Sequence, residues 1–283
     1  MRQEQPGRLN MTRHEDIPTN DGHLYILLDG ALLEAAKLAY SHDDNPTVQH
    51  LYSGTRHSAA IEVSPCLIQP SSASRLWRAE GDWRHAGIVL QSDAELNVLA
   101  DHLRSLISIR LPSHQLAYCR FYSPSWMGCL LGSCSNDELQ AFSGPVQHWF
   151  AYEQAAWLSL GPSSTGAPRQ ASEEGWFCLR PEQLDLLQAD EEQRFIERMA
   201  GHFECPSATA AEGVAARDQL ERLILQARQY GFTQEHQCTH YLELAQRFPE
   251  ELKTPELSSL LADQGLATDK RLEQAESRLF SLA

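Results

Sequence analysis

The sequence contains few basic residues for its size and has no long apolar run. Its 283 residues include 23 Lys and Arg against 38 Asp and Glu, which gives a formal net charge of -15 at pH 7. Because binding to a phosphate backbone or an anionic membrane is driven by clustered Lys and Arg, this balance argues against nucleic-acid and membrane-surface partners. Any charged surface of a partner is expected to be basic.

Export and membrane signals are missing as well. The N-terminus has no apolar core of signal-peptide length, and no later segment approaches the roughly 18 consecutive apolar residues of a membrane span. We therefore expect a cytoplasmic protein. Hydrophobic residues make up 42% of the chain, which is typical of a folded protein with a packed core.

The motifs of common enzyme classes are absent too. The sequence has no GxSxG elbow, no HExxH, no CxxC, no phosphate-binding loop and no GxGxxG turn. These absences exclude the motif-bearing hydrolases, zinc peptidases, redox proteins and nucleotide binders, but they do not exclude enzymes without such motifs. No cofactor is predicted.

Cysteine and histidine form no strong metal or redox pattern. The seven cysteines have no framework spacing and several lie in apolar runs, which favours reduced and mostly buried thiols, Cys129 and Cys134 included. In EHQCTH, His236 and His240 lie one helical turn apart, whereas Cys238 points away into an apolar stripe. Two converging ligands are too few for a stable site, so surface histidines are favoured over a metal centre.

Composition divides the chain into four segments. Residues 1–22 are predicted to be a flexible leader, and residues 23–160 alternate β-rich runs with short helices, which indicates an α/β (α+β) domain with a mixed sheet. Residues 161–180 are rich in Gly, Pro and Ser and indicate a linker or surface loop with a short strand-like piece at 176–179. Residues 181–283 show only helical patterns, which predicts a helical lobe.

Local patterns place the elements within these segments. Strands are predicted at 24–29, 61–68, 86–90, 116–124, 146–152 and 156–160, and 61–68 is read as an edge or interrupted strand because of Pro65. A helix at 31–40 and a helical turn at 48–52 are predicted between the first strands. The boxes Ser92-x-x-Glu95 and Ser135-x-x-Glu138 predict two more helix starts. In the lobe, Pro181 starts one helix, Asp190 caps a second, and a last helix ends at Gly265.

The stretch LAYCRFYSP, residues 116–124, carries an arginine inside a strand-like pattern. Arg120 shares one face with Tyr118 and Tyr122, so it can stack on the rings, but a buried arginine needs an acceptor. Asp29, at the end of the strand LYILLD, is the candidate. We expect the two strands to be neighbours and Arg120 to pair with Asp29.

The order of the motifs resembles the Tap/Tec family of adaptor-chaperones of bacterial type VI secretion. The series runs from LYILLDGA through GIVLQSD and the helix ending in HLRSLI to LAYCRFYSP and FSGPVQHW. The matching positions are Leu28, Asp29, Gly30 and Ala31, then Arg120, Phe121, Tyr122 and Pro124, then Phe142, Gly144, Pro145 and Trp149. Two departures are visible: Ser123 stands where the family has Asp, and Ser143 is inserted before Gly144.

The resemblance covers residues 24–155 and extends to the helical C-terminal tail. It implies a non-enzymatic cytoplasmic protein that binds a secreted effector toxin, often through its N-terminal region, and helps to load it onto the VgrG spike. It also implies that the adaptor stays in the cell. Asp29, Arg120 and Tyr122 are expected to maintain the fold rather than to contact a partner.

Three hypotheses remain open. The first is an adaptor that binds its partner by apolar surface or strand addition at an exposed edge, with Ile61, Val63 and Leu67 as candidate contacts. The second is a motif-poor enzyme that uses Asp29, Arg120 and a histidine such as His148 in a polar cleft between the two lobes. The third is a structural scaffold subunit that assembles with itself.

Overall fold

A computed structural model describes residues 12–17, 23–203 and 210–282. The chain divides into two compact units, residues 1–188 and residues 189–283. Each unit has its own hydrophobic core. Among the described helices, none has the length and apolar character needed to cross a membrane.

Strands of the first unit form a main sheet of seven strands and a small sheet of two, counted over the described residues. Their bounds are β1 (Thr12–His14), β2 (His23–Leu28), β3 (Thr47–His50), β4 (Cys66–Gln69), β5 (Gly87–Ser92), β6 (Ser108–Arg110), β7 (Leu116–Tyr118), β8 (His148–Glu153) and β9 (Ala156–Leu160). The main sheet has the order β1-β9-β8-β5-β2-β4-β3, and all of its ladders are antiparallel. The small sheet pairs β6 with β7.

Both faces of the main sheet are buried at its centre. Along β2, Tyr25 and Leu27 join one core cluster, whereas Ile26 and Leu28 join a second cluster on the opposite face. This follows from the alternation of side chains along a strand. Strands covered on both faces read as nearly continuous apolar runs, as β2 does.

Four helices cover the two faces of this sheet. Their bounds are α1 (Ala35–His42), α2 (Leu96–Ser105), α3 (Pro124–Gly132) and α4 (Asn136–Ser143). Leu99 and Leu103 of α2 and Leu139 of α4 belong to the larger cluster, and Ala35 and Ala39 of α1 belong to the smaller one. The Ser135–Glu138 capping box is formed at the start of α4, as predicted.

Residues 161–180 run as a packed segment rather than as a free linker. Phe177 and Leu179 are buried in the larger core cluster. Arg110 of β6 forms an isolated parallel bridge with Cys178, where its N–H donates to the carbonyl of Phe177 at 2.7 Å. The strand-like piece at 176–179 therefore extends the small sheet.

Helices alone form the second unit within the described residues. The bounds are α5 (Pro181–His202), α6 (Ala210–Gln229), α7 (Glu235–Arg247), α8 (Pro255–Ala262) and α9 (Thr268–Leu282). The first turns of α5 belong to the first unit, where Leu187 is buried in its core. Phe195 of α5, Ile224 of α6 and Tyr241 of α7 contribute to the core of the second unit.

The predicted fold class, an α/β sheet domain followed by a helical region, is confirmed. The sheet was predicted to be mixed, but all ladders of the main sheet are antiparallel. The predicted flexible leader is wrong at Thr12–His14, which pairs with β9 as an edge strand. Residues 15–17 of the predicted leader form no helix or strand. Residues 1–11 and 18–22 of the predicted leader lie outside the described residues.

The predicted edge strand at 61–68 is wrong in position and in kind. Residues Ser58–Val63 form a 3-10 helix, and Pro65 separates them from β4, which is paired on both sides with β2 and β3. Strand addition at β4 is therefore excluded. Leu67 is fully buried in β4, whereas Ile61 and Val63 are exposed.

Other local predictions were overridden by tertiary contacts. Residues 48–52, predicted as a helical turn, contain the end of β3, because Val48 pairs with Ile68 of β4. The helix predicted from residue 31 begins at Ala35, because the carbonyl of Asp29 accepts the N–H groups of Leu32 and Leu33 and closes a turn there.

Helix ends account for three further corrections. Ser92 is the last residue of β5 and its hydroxyl donates to the carbonyl of Pro145 at 2.8 Å, so it does not cap α2. Asp190 accepts from Arg194 inside a continuous α5 and does not start a second helix. Helix α9, beyond the predicted stop at Gly265, was missed.

Candidate functional site

The predicted pair of Asp29 and Arg120 is present. The Asp29 side chain is 1% exposed, and its Oδ2 accepts a hydrogen bond from Nη2 of Arg120, which is 46% exposed. The other carboxylate oxygen accepts the N–H of Ala31 at 2.9 Å. Asp29 therefore closes the turn after β2 and also holds the arginine.

The expectation that the two strands are neighbours was wrong. β2 pairs with β4 and β5, whereas β7 ends at Tyr118 and belongs to the small sheet. Arg120 lies beyond the end of β7, where its carbonyl accepts the N–H of Ser123 at 2.9 Å. The pair thus joins the turn after a main-sheet strand to the turn that leads into α3.

Gly30 is required by a close approach of two backbones. A Cβ atom at this position would overlap the carbonyl group of Ser64 and the backbone of Val63. Only glycine allows the turn after β2 to pack against the end of the 3-10 helix. This contact brings the backbone of Val63 next to the turn that follows Asp29.

Three tyrosine hydroxyls form a chain beside the pair. The hydroxyl of Tyr118 lies in hydrogen-bond contact with those of Tyr52 and Tyr122. Burial raises the pKa of both Tyr118 and Tyr122 well above the ordinary value, so these hydroxyls stay protonated. Their protons remain available for the hydrogen-bond chain.

A charged group that sequence reasoning missed adjoins the tyrosines. The His57 ring lies 5.4 Å from the ring of Tyr52, and its Nε2 lies 2.8 Å from Oε1 of Glu174. Arg56 donates to the same oxygen through Nη2 at 2.9 Å. Burial favours the neutral acid, but hydrogen bonds from Ser108, His57 and Arg56 outweigh it and lower the pKa of Glu174.

Exposed apolar residues lie close in sequence to the two turns. We define the Arg120 surface as Arg120 with the exposed residues Leu32, Ile61, Val63 and Tyr118. Each apolar member lies within three positions along the sequence of a residue that makes the Asp29–Arg120 contact or the Gly30–Ser64 contact. Ile61 is 37% exposed and Val63 is 44% exposed. Two of the three predicted contact residues therefore belong to this surface, and Leu67 does not.

The other motif residues build the core behind the site. Phe121 lies edge-on to Phe142 and to Trp149, with ring centroids 6.3 and 6.2 Å apart. Tyr122 is buried, and Pro124 occupies the first turn of α3.

Two turn residues and one insertion complete this core. Gly144 has φ +52°, and a Cβ there would overlap the ring of His102. The carbonyl of Pro145 holds Ser92. Ser143 is the residue inserted relative to the family pattern, and its hydroxyl oxygen accepts a hydrogen bond from the indole N–H of Trp149 at 2.9 Å. The insertion therefore supplies a partner for a fully buried tryptophan.

The residues of the hypothetical polar cleft are not brought together. His148 lies at the start of β8 opposite Gln91 of β5, and Gln91 lies opposite Leu24 of β2. Asp29 lies five residues along the chain from Leu24, just past the other end of β2, and at about 3.4 Å per residue this is roughly 17 Å along the sheet. The structure therefore separates His148 from the Asp29–Arg120 pair.

The two histidines considered as metal ligands each lie near a different carboxylate. Nε2 of His236 lies 3.6 Å from Asp269 and Nε2 of His240 lies 3.3 Å from Glu276, while Cys238 is buried in the core. Burial also raises the pKa of Cys134 to about 12. Over the part of the chain that the structure describes, no three His, Cys, Asp or Glu side chains are grouped to hold a metal.

Comparison with known proteins gives one match. No curated protein and no solved structure matches the chain significantly. Residues 24–141, from β2 into α4, match the model of a protein family described as a domain of unknown function, DUF4123. This range contains the Asp29–Arg120 pair, Gly30 and the whole Arg120 surface.

Proposed function

We propose that this protein is a cytoplasmic adaptor-chaperone of type VI secretion, which binds one effector and helps to load it onto the VgrG spike. The observation that carries the proposal is the agreement of two comparisons made with the sequence. The motifs that resemble the Tap/Tec family lie at residues 24–155, and the DUF4123 match lies at residues 24–141. A domain of this description is known in adaptors of the Tec/Tap type.

The Arg120 surface is the proposed contact with the effector. Arg120, which was expected only to maintain the fold, is included in this contact because nearly half of its side chain is exposed. It combines three exposed aliphatic residues with a tyrosine and an arginine, and Tyr and Arg are enriched among the residues that dominate interface energies. The Asp29 contact fixes the arginine side chain, so little side-chain entropy is lost on binding. Ile61 and Val63 are retained as proposed contacts. Leu67 is withdrawn because it has no exposed surface.

The direct test is affinity capture from a bacterium that expresses its secretion apparatus. The tagged full chain is recovered at moderate salt, and its companions are identified by mass spectrometry. Recovery of a toxin-like protein together with a VgrG-type spike is the expected result. Recovery of the chain alone would contradict the proposal and favour the motif-poor enzyme, and recovery of the chain only as a self-assembly would favour the scaffold subunit.

Paired variants test the surface. The double variant Ile61→Glu, Val63→Glu places two charges on the Arg120 surface and should lose the effector while keeping the melting temperature. Leu186→Glu is the control, because Leu186 is also an exposed apolar residue, with 55% of its surface accessible, but it does not belong to the Arg120 surface. It lies on α5, where its carbonyl accepts from the thiol of Cys129 of α3. Equal recovery of the effector by both variants would exclude the Arg120 surface as the contact.

A further inference from the structure

A segment of the first unit is held against α2 and α4 by a buried histidine. We call residues 166–175 the strap. At one end of the strap, the N–H of Gly166 donates to the carbonyl of Gly144, which follows α4. At the other end, Glu174 is bound by the charged groups beside the tyrosines. Between the two ends the strap meets α2 at His102, a residue that the proposed effector contact does not use.

The partners of His102 fix the position of its ring proton. The side chain is fully buried, and the backbone N–H of Arg169 donates to Nδ1 at 3.1 Å. Nε2 lies 2.9 Å from the carbonyl of Phe142, so this nitrogen carries the proton and donates it. A backbone N–H can only donate and a carbonyl can only accept. The neutral ring therefore satisfies both contacts, and a charged ring cannot.

Protonation would turn one of these contacts into a repulsion. A charged imidazole has an N–H on both nitrogens, so the new N–H at Nδ1 would point at the N–H of Arg169. The ring has no room to turn away, because Gly144 packs so closely that a Cβ atom there would overlap it. Relief of the repulsion therefore requires the strap to move away from α2.

The charged groups around the ring do not remove this preference for the neutral form. Burial lowers the pKa of His102, the guanidinium of Arg169 acts in the same direction, and Glu173 acts against it. Arg169 and Glu173 are paired at 2.8 Å, so their effects on the ring partly cancel. On α2 itself, Asp101 and Arg104 are also paired at 2.8 Å. Once the strap opens and water reaches the ring, its pKa should return to about 6.5.

We propose that His102 is a pH-sensitive switch, in which protonation of the ring releases the Arg169 part of the strap from α2. Above about pH 6.5 the ring is neutral in the closed and open states, so the strap is held at full strength. Below that pH the open state binds a proton that the closed state excludes, and the open population rises about tenfold per pH unit. This rise ends where the pH reaches the lowered pKa of the closed state.

The Glu174 end of the strap should respond in the opposite direction. Nε2 of His57 lies 2.8 Å from the carboxylate of Glu174, whose pKa is lowered and which therefore stays charged. A protonated His57 binds this carboxylate more strongly than a neutral one. Opening in mild acid is therefore confined to the part of the strap around Arg169.

The test is native-state hydrogen exchange of the full-length, ¹⁵N-labelled protein between about pH 8 and about pH 5. The protection factor of the Arg169 amide is its intrinsic exchange rate divided by the observed rate. It should be constant above about pH 6.5 and fall about tenfold per pH unit below it. Amides at the centre of the main sheet, such as Ile26 and Val89, should not show this fall. At about pH 8 the ring signals of His102 should be those of a neutral imidazole with its proton on Nε2.

Three results would overturn the proposal. A protection factor of Arg169 that does not change with pH would show that the ring controls nothing. A proton on Nδ1 would contradict the contacts that define the switch. An equal fall at the centre of the sheet would show that acid opens the whole unit rather than the strap.

Two variants identify the group that titrates. His102→Gln removes the titratable ring but keeps a side chain that can donate and accept, and the protection factor of Arg169 should then be independent of pH in this range. Glu173→Gln removes the acid that pairs with Arg169 and should keep the fall below about pH 6.5. The reverse pattern would assign the effect to Glu173 and overturn the proposal. If His102→Gln does not fold, the ring signals of the parent protein and the Glu173→Gln exchange data still decide the question.

Discussion

At the scale of single residues, the two side chains of the Asp29–Arg120 pair differ in burial. The carboxylate is buried, whereas the guanidinium is about half exposed. Removing the arginine leaves a buried charge, while removing the acid leaves a cation that water can still reach. An exchange of the two residues would not restore the contact, because an arginine at position 29 cannot accept the N–H of Ala31.

This inequality predicts the outcome of a double-mutant cycle. Arg120→Met should lower the free energy of unfolding by about 2–4 kcal/mol, because it leaves Asp29 charged and without its cation. Asp29→Asn keeps an oxygen for Ala31 and should cost about 1 kcal/mol. The double variant should lose at least about 1 kcal/mol less than the sum of the single losses in urea unfolding at pH 7. Additive losses would show that the pair contributes no coupling.

Asp43 predicts a pH dependence of stability. Its side chain is buried, which favours the neutral acid, but the N–H groups of Asn45 and Ser71 donate to it at 3.0 and 2.7 Å and lower its pKa to about 2. An acid with a depressed pKa in the folded state stabilises the protein above its unfolded pKa of about 4. That contribution is lost as the pH falls from about 5 towards 2.

Asp43→Asn should therefore cost about 2 kcal/mol at pH 7. The difference from the parent protein should shrink steadily between about pH 5 and pH 2.5 as Asp43 itself becomes protonated. Thermal melts of both proteins across this range measure the difference, with the exposed neighbour Asp44→Asn as the control. A difference that stays constant with pH would mean that the carboxylate charge is not what these N–H groups bind.

Some residues of the site could be predicted from the sequence and others could not. Asp29 follows one strand-like run and Arg120 lies inside another, and a charge next to buried positions needs a partner, so the pairing was predictable. His57 and Glu174 lie 117 residues apart and show no periodic or spacing signal. Only the fold brings them beside Tyr52.

At the scale of elements, the boundary between the 3-10 helix and β4 decides which residues are exposed. Residues 61–68 read as one strand because they are rich in β-formers, but Pro65 has no N–H to donate to a ladder and the pairing starts after it. The same composition thus gives an exposed turn of helix on one side and an interior strand on the other. Sequence pattern could not show that β4 lies between β2 and β3.

This boundary predicts very different effects on stability for two substitutions that lie four residues apart. Leu67→Glu places a charge in the core and should lower the free energy of unfolding by more than about 3 kcal/mol, or prevent folding. Val63→Glu, at an exposed position, should change it by less than about 0.5 kcal/mol. Chemical unfolding of the two purified variants provides the comparison. Similar losses in both would place residues 61–68 in one edge strand after all.

Helix starts show why one capping box formed and the other did not. Ser135 and Glu138 satisfy each other's backbone N–H groups at the start of α4. Ser92 has the same spacing to Glu95, but it is still paired with His23 in the β5 ladder. Because β5 runs through Ser92 and α2 begins only at Leu96, with Glu95 at its N-cap position, Ser92 lies too far before the helix to cap it, and its hydroxyl donates to the carbonyl of Pro145 instead.

At the scale of the whole molecule, the change from sheet to helices does not coincide with the division into compact units. The helical pattern starts at Pro181, but Leu187 and the partly buried Leu184 pack against the core of the first unit. Gln183 and Arg180 also donate to the carbonyl of Ser133. The first two turns of α5 therefore complete the α/β unit.

Truncation should reveal this. A fragment of residues 1–188 should be more stable than a fragment of residues 1–180 by at least about 2 kcal/mol, because the shorter fragment loses the buried leucine contacts of α5. Thermal melts followed by circular dichroism compare the two fragments directly. Equal melting temperatures would mean that the start of α5 contributes nothing to the first unit.

The central claim, that the protein loads an effector for secretion, is tested most directly by comparing the secreted proteins of two strains. One strain lacks the gene for this chain, and the other carries it again, either as the parent sequence, as Leu186→Glu, or as Ile61→Glu with Val63→Glu. The account predicts that one effector disappears from the medium of the deletion strain. The parent sequence and Leu186→Glu should restore its secretion, whereas the double variant should not. The adaptor itself should stay in the cells of every strain that expresses it. An unchanged set of secreted proteins in the deletion strain, with the secretion apparatus active, would contradict the account.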